Sequence, residues 1–159
     1  MQGAAVVLHH PIHAILVAFP IAFLVGSLGA DIIFVASRAE FWRKCALALI
    51  AFGVVGGLAA AITGLIDYRT APLSGSAFDI ATDHRNANLA LVGIFAVNWL
   101  IRLRRPGHWF GYLLTLVGLA TVTYAGWLGG ELVYRHGVGV APVEKPAIIE
   151  IHQPEAHGH

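Results

Sequence analysis

The chain has 159 residues, a formal net charge of +1, 57% hydrophobic residues and only 12% charged ones, with a mean hydropathy of +0.72. Soluble domains carry about 25% charged residues, so this composition excludes a water-soluble globule and makes the lipid bilayer the natural partner. Near-neutral charge without a basic patch interleaved with aromatics excludes a nucleic-acid partner. The lone Cys45 excludes an intramolecular disulfide, a Cys-x-x-Cys metal or redox motif, and covalent haem attachment.

The opening Met1-Gln-Gly-Ala-Ala-Val-Val lacks a basic leader region and runs into a long apolar segment, which reads as a retained span and not a signal peptide. A span needs about 20 mostly apolar residues. Four segments qualify: residues 11–34, 41–65, 83–102 and 109–134. Pro11 suits the first turn of the first helix, where a missing N–H costs nothing. The stretch 67–82, rich in Pro, Ser and Gly, reads as an exposed loop, and the other connections are short. Beyond His136 the run Gly-Val-Gly-Val-Ala-Pro ends the last helix. The predicted organisation is therefore an all-α, integral membrane, up-down antiparallel four-helix bundle over residues 1–140. A flexible tail follows over 141–159, carrying His152, His157 and His159. No internal repeat is evident.

Lys and Arg collect on one side of these spans. Arg38, Arg43, Lys44, Arg102, Arg104 and Arg105 lie in or beside short turns, against Arg69, Arg85, Arg135 and Lys145 at the other end. The positive-inside rule then puts the first set in the cytoplasm and both termini on the non-cytoplasmic side of the membrane.

Alternating spans gather His9, His10, His13, Asp67, Asp83, His84, Arg85, Asn88, Glu131, Arg135 and His136 at one membrane face. Of nine histidines only His108 falls at the other end. Ionisable groups within spans normally face the bundle interior. The expected inward seams are His10, His13, Val17, Pro20, Leu24, Ser27 and Asp31 on the first helix, and Gly53, Gly57, Ala60, Gly64 and Asp67 on the second. On the third they are His84, Asn88, Leu91, Phe95, Asn98 and Arg102, and on the fourth Thr121, Tyr124, Leu128, Glu131 and Arg135. The glycines are expected to serve close helix packing, with clearance for a flat macrocycle as the alternative.

The segments His10-Pro-Ile-His13, Gly64-Leu-Ile-Asp-Tyr68, His84 with Asn88, and Gly126-Trp-Leu-Gly-Gly-Glu-Leu-Val-Tyr-Arg-His-Gly-Val-Gly-Val140 together resemble a family of small four-helix bacterial membrane proteins, domain of unknown function 2231. The likeness covers roughly residues 8–140. Fusion of some members to Rieske-type iron–sulfur domains implies electron transfer.

Three readings of the polar end stay open. The first is a non-covalent b-type haem for electron transfer, with His13 and His84 as axial ligands from facing helices. His10 and His136 would support it, Arg85 and Arg135 would pair with the propionates, and an iron–sulfur or cytochrome protein would be the redox partner. The second is a transition-metal ion held by His10, His13, His84 and His136 with Asp67 or Glu131. The third is a structural or scaffold subunit in which these groups cap helices and form a polar network; a homo-oligomer is compatible with all three. No nucleophile elbow, phosphate loop or dinucleotide fingerprint points to catalysis. At the basic end, Asp31 is expected to pair with Arg38 or Arg102, Asn98 to bond across helices, and His108 to sit in a turn at headgroup level.

Overall fold

In the computed structural model Ala4, Val6–Val7 and residues 10–140 are described. The expectations for His9, Lys145 and the tail over 141–159 lie outside these residues. A two-residue antiparallel pairing joins β1 (Val6–Val7) to β2 (His10–Pro11). Five helical segments follow: α1 (Ile12–Leu16), α2 (Ala18–Ser37), α3 (Glu40–Thr70), α4 (Ser76–Arg104) and α5 (Trp109–Tyr134). The first two run on as one segment, so among the described residues four helices are long and apolar enough to cross a membrane. Pro20 has no N–H for the carbonyl one turn before it. Around this gap Val17 N donates to His13 O at 3.1 Å and Ile21 N to Val17 O at 3.3 Å.

Three expectations are corrected. His10 and Pro11 belong to the strand pairing, not the first helix, which begins at Ile12. The stretch 67–82 is no long loop: α3 continues to Thr70 and α4 begins at Ser76, leaving only residues 71–75 between them. The inward seam of the last helix is Gly111, Thr115, Gly118, Ala125, Leu128 and Leu132, while Tyr124 is 54% exposed. Seams on the first and third spans match expectation, with Pro20, Leu24, Ser27 and Asp31 buried on α2 and Leu91, Phe95, Asn98 and Arg102 on α4.

Each helix packs on its neighbours around a ring: α2 on α3, α3 on α4, α4 on α5, and α5 back on α2. Leu24, Ile50, Leu91 and Phe95 form the central core, and Ala87, Ala125 and Leu128 a second cluster nearer the histidine end. Large apolar side chains such as Phe19, Phe52, Val55, Ile62 and Trp127 point outward, as they do when lipid is the solvent.

The two hairpins, α1–α3 and α4–α5, use the same construction. A shift of 71 residues carries Asp31 onto Arg102, and the same shift carries His13, Leu24 and Ser27 onto His84, Phe95 and Asn98. A second constant shift carries Ala46, Ile50, Gly53, Ala60 and Gly64 onto Gly111, Thr115, Gly118, Ala125 and Gly129. The contacts repeat with the positions. A Cβ at Gly53 would run into Leu24, and one at Gly118 into Phe95, the equivalent residue. The chain is therefore a hairpin repeated in packing, related by a pseudo-twofold running along the bundle.

Candidate functional site

His13 and His84 occupy equivalent positions of the two hairpins, and their rings meet at the bundle centre. The ring centroids are 6.4 Å apart with planes at 88°. Each imidazole crosses to the second helix of its own hairpin. His13 Nδ1 lies 2.8 Å from Ala60 O, and His84 Nδ1 lies 2.9 Å from Ala125 O. The residue one turn further on is glycine in both cases, and it makes the approach possible. A Cβ on Gly64 would sit 2.8 Å from His13 Cε1, and one on Gly129 3.1 Å from His84 Cε1. These glycines therefore clear space for imidazoles.

A carbonyl oxygen can only accept, so each Nδ1 carries the proton and donates it. In the neutral ring the lone pair then resides on Nε2. Both histidines are fixed in the same tautomer by the kind of outer hydrogen bond that orients metal-ligating imidazoles. Asn88, one turn along α4, donates to His84 O at 2.8 Å and holds its amide nitrogen 3.2 Å from His84 Nε2.

Among the described residues no group of three or more His, Cys, Asp and Glu is arranged to hold a metal ion. Glu131 is engaged by Arg135 at 3.0 Å, with the arginine side chain 73% exposed. Arg85 lies over the Tyr68 ring at 4.6 Å and donates to Asn86 Oδ1 at 3.0 Å. Tyr68 in turn shares a 2.8 Å hydrogen bond with Thr82. His136 follows α5 in a turn, and His10 lies in β2.

A second polar cluster closes the opposite end. Arg102 forms a bidentate pair with Asp31, both bonds at 2.7 Å, and both side chains are buried. Arg102 also donates to Asn98 Oδ1 at 2.8 Å, Thr115 Oγ1 at 2.8 Å and Gly111 O at 3.1 Å. Asn98 reaches Thr115 at 3.0 Å, as the expected interhelical bond. Among the described residues no buried side-chain nitrogen or oxygen lacks a partner. With every donor satisfied, this cluster is a lock between the hairpins. His108 caps α5, its Nδ1 accepting from Phe110 N at 3.3 Å.

A model of one family, described as a predicted membrane protein, DUF2231, matches residues 9–142. The chain belongs to this family. No curated protein and no solved structure matches it. The DUF2231 match spans both hairpins, both histidines and the Asp31–Arg102 lock. Sequence reasoning missed Ala60, Gly64, Ala125 and Gly129 as the seats of the imidazoles. The available signal was the spacing Gly53, Ala60, Gly64, repeated as Gly118, Ala125, Gly129.

Proposed function

We propose that this integral membrane protein carries electrons through a b-type haem that His13 and His84 would hold. The carrying observation is the matched posture of the two rings: each commits Nδ1 to a backbone carbonyl and turns Nε2 to the acceptor role, which at His84 is taken by the Asn88 amide that a ligand would displace. Two metal–imidazole bonds of about 2 Å, with about 1 Å more to each ring centre, give roughly 6 Å between centroids, close to the 6.4 Å found. The side chains around the pair are small: Ala60, Gly64, Ala87, Ala125 and Gly129. Held by the two histidines, such a haem would supply one-electron transfer. Arg85, and Arg135 on leaving Glu131, would be the cations for propionates at this end, with His136 as a supporting donor. The charge bias of the turns supports placing this end on the non-cytoplasmic side of a bacterial inner membrane, where an iron–sulfur or cytochrome protein would exchange electrons with it.

A second reading is a single transition-metal ion held by the same pair. It is favoured by the same centroid spacing, which needs no opening of the bundle for a macrocycle. Spectra decide. Protein purified in detergent after expression with ample haem is expected to show a Soret band and sharp α and β bands on reduction. His13→Ala or His84→Ala should remove most of the haem, and His108→Ala should leave it. Colourless protein with one equivalent of metal by elemental analysis selects the second reading. Colourless, metal-free protein overturns both and leaves a structural subunit.

A further inference from the structure

We infer that the outer face of the α4–α5 turn is a binding site for one anionic phospholipid. A groove of about 430 Å³ opens there on the bundle surface. Its walls include Val97, Leu100 and Phe110, and its rim holds Arg104, Arg105 and His108. The apolar walls are outward-facing: Val97 is 49% and Leu100 46% exposed. They belong to the spanning part of α4, so the only medium that meets them is lipid chain. The two arginines stand where α4 ends and the headgroups begin. Neither has an ion-pair partner among the described residues, whereas Arg43, Arg102 and Arg135 are all paired. Two unpaired guanidiniums above an apolar slot complement a phosphate above an acyl chain. His108 adds a donor, because its Nδ1 accepts from Phe110 N and the neutral ring then carries its proton on Nε2.

The pseudo-twofold does not repeat this site. The positions equivalent to Arg104 and Arg105 in the first hairpin are Ile33 and Phe34, and the cations of its turn, Arg38, Arg43 and Lys44, stand at other positions. One lipid is proposed for this groove. This inference is independent of any cofactor at the histidine end.

Trp109 reports on the groove, since it is 65% exposed and stacks on His108 with ring centroids 5.9 Å apart. The full chain is reconstituted in phosphatidylcholine vesicles with either dibrominated phosphatidylglycerol or dibrominated phosphatidylcholine as quencher. The Trp109 signal is obtained by difference from Trp109→Phe. Phosphatidylglycerol is expected to half-quench it at roughly a tenth of the mole fraction that phosphatidylcholine needs. Arg104→Gln/Arg105→Gln should abolish that preference while leaving the thermal midpoint unchanged, and native mass spectrometry should retain one phosphatidylglycerol per chain. Equal quenching by the two lipids in the unmodified chain overturns the proposal, as does a preference that survives in the double variant. Loss of the preference on adding millimolar inorganic phosphate would also overturn it, since that marks an anion site without an acyl slot.

Discussion

At the scale of single residues, the imidazole seats carry the argument. Gly64 and Gly129 hold no side chain because a ring already fills the space. Gly64→Ala would place its Cβ within 2.9 Å of the His13 Nδ1 that donates to Ala60 O. The ring must turn away, and its tautomer is then no longer fixed by that carbonyl. We expect Gly64→Ala to lower haem or metal occupancy of the purified protein several-fold, and Gly129→Ala, with 3.1 Å available, to lower it less. Occupancy is read from absorbance or elemental analysis per chain. His13→Ala in unloaded protein should cost only about 1 kcal/mol in an unfolding titration, since Ala60 O keeps the Thr63 hydroxyl at 3.0 Å. The choice of His13 and His84 as a pair was legible in the sequence, because both fall on inward stripes at one depth. The pairing of Glu131 with Arg135 was not. Depth follows from counting residues along a span, but the direction a side chain takes around its helix axis depends on where the neighbour packs.

At the scale of elements, the four spans were legible from hydropathy alone, and their ends were not. At 1.5 Å per residue, α3 is about 46 Å long against a hydrocarbon core of about 30 Å, so its last turns lie outside the lipid. There Asp67, Arg69 and Thr70 are as acceptable in a helix as in a loop. The same holds for Ser76, Asp79 and Asp83 at the start of α4, which is why a polar stretch that reads as a loop is mostly helix. The seam of α5 was misassigned for a related reason. Thr121 and Tyr124 looked like interior polar groups, yet the partner helices need the small face of Gly111, Gly118 and Ala125. Small residues let membrane helices approach closely, and packing contacts drive their association. Alanine at Gly118 would collide with the fully buried Phe95 ring. We expect Gly118→Ala and Gly53→Ala each to destabilise the bundle by about 1–3 kcal/mol, the usual range for overpacking. Gly126→Ala, where the added Cβ meets nothing within 4 Å, should be neutral in the same thermal-unfolding measurement.

At the scale of the whole molecule, the two hairpins share a plan while sharing few residue identities. Of the aligned pairs that build the interior, only His13 with His84, Gly53 with Gly118, Ala60 with Ala125, and Gly64 with Gly129 are identical. Direct comparison of letters hides such a repeat, and the burial pattern reveals it. On the pseudo-axis, equivalent residues must face each other. Like meets like at the histidine end, where two imidazoles face each other, and opposite charges meet at Asp31 and Arg102, where two like charges would repel. Removing one member leaves a buried charge without its partner, so Asp31→Asn or Arg102→Gln should cost about 3–5 kcal/mol. The exchanged double variant, Asp31→Arg with Arg102→Asp, tests the symmetry itself. The pseudo-twofold puts the charges back opposite one another, so the ion pair should re-form. The arginine, however, would now lie beside Ser27 and Ile50, the equivalents of Asn98 and Thr115, and would lose the hydroxyl acceptor that Thr115 gives at 2.8 Å. We therefore expect a stability between that of the native chain and that of either single variant, measured by thermal unfolding in detergent. A double variant no better than the single ones would mean that the lock depends on its asymmetric hydrogen bonds more than on the charges the axis brings together.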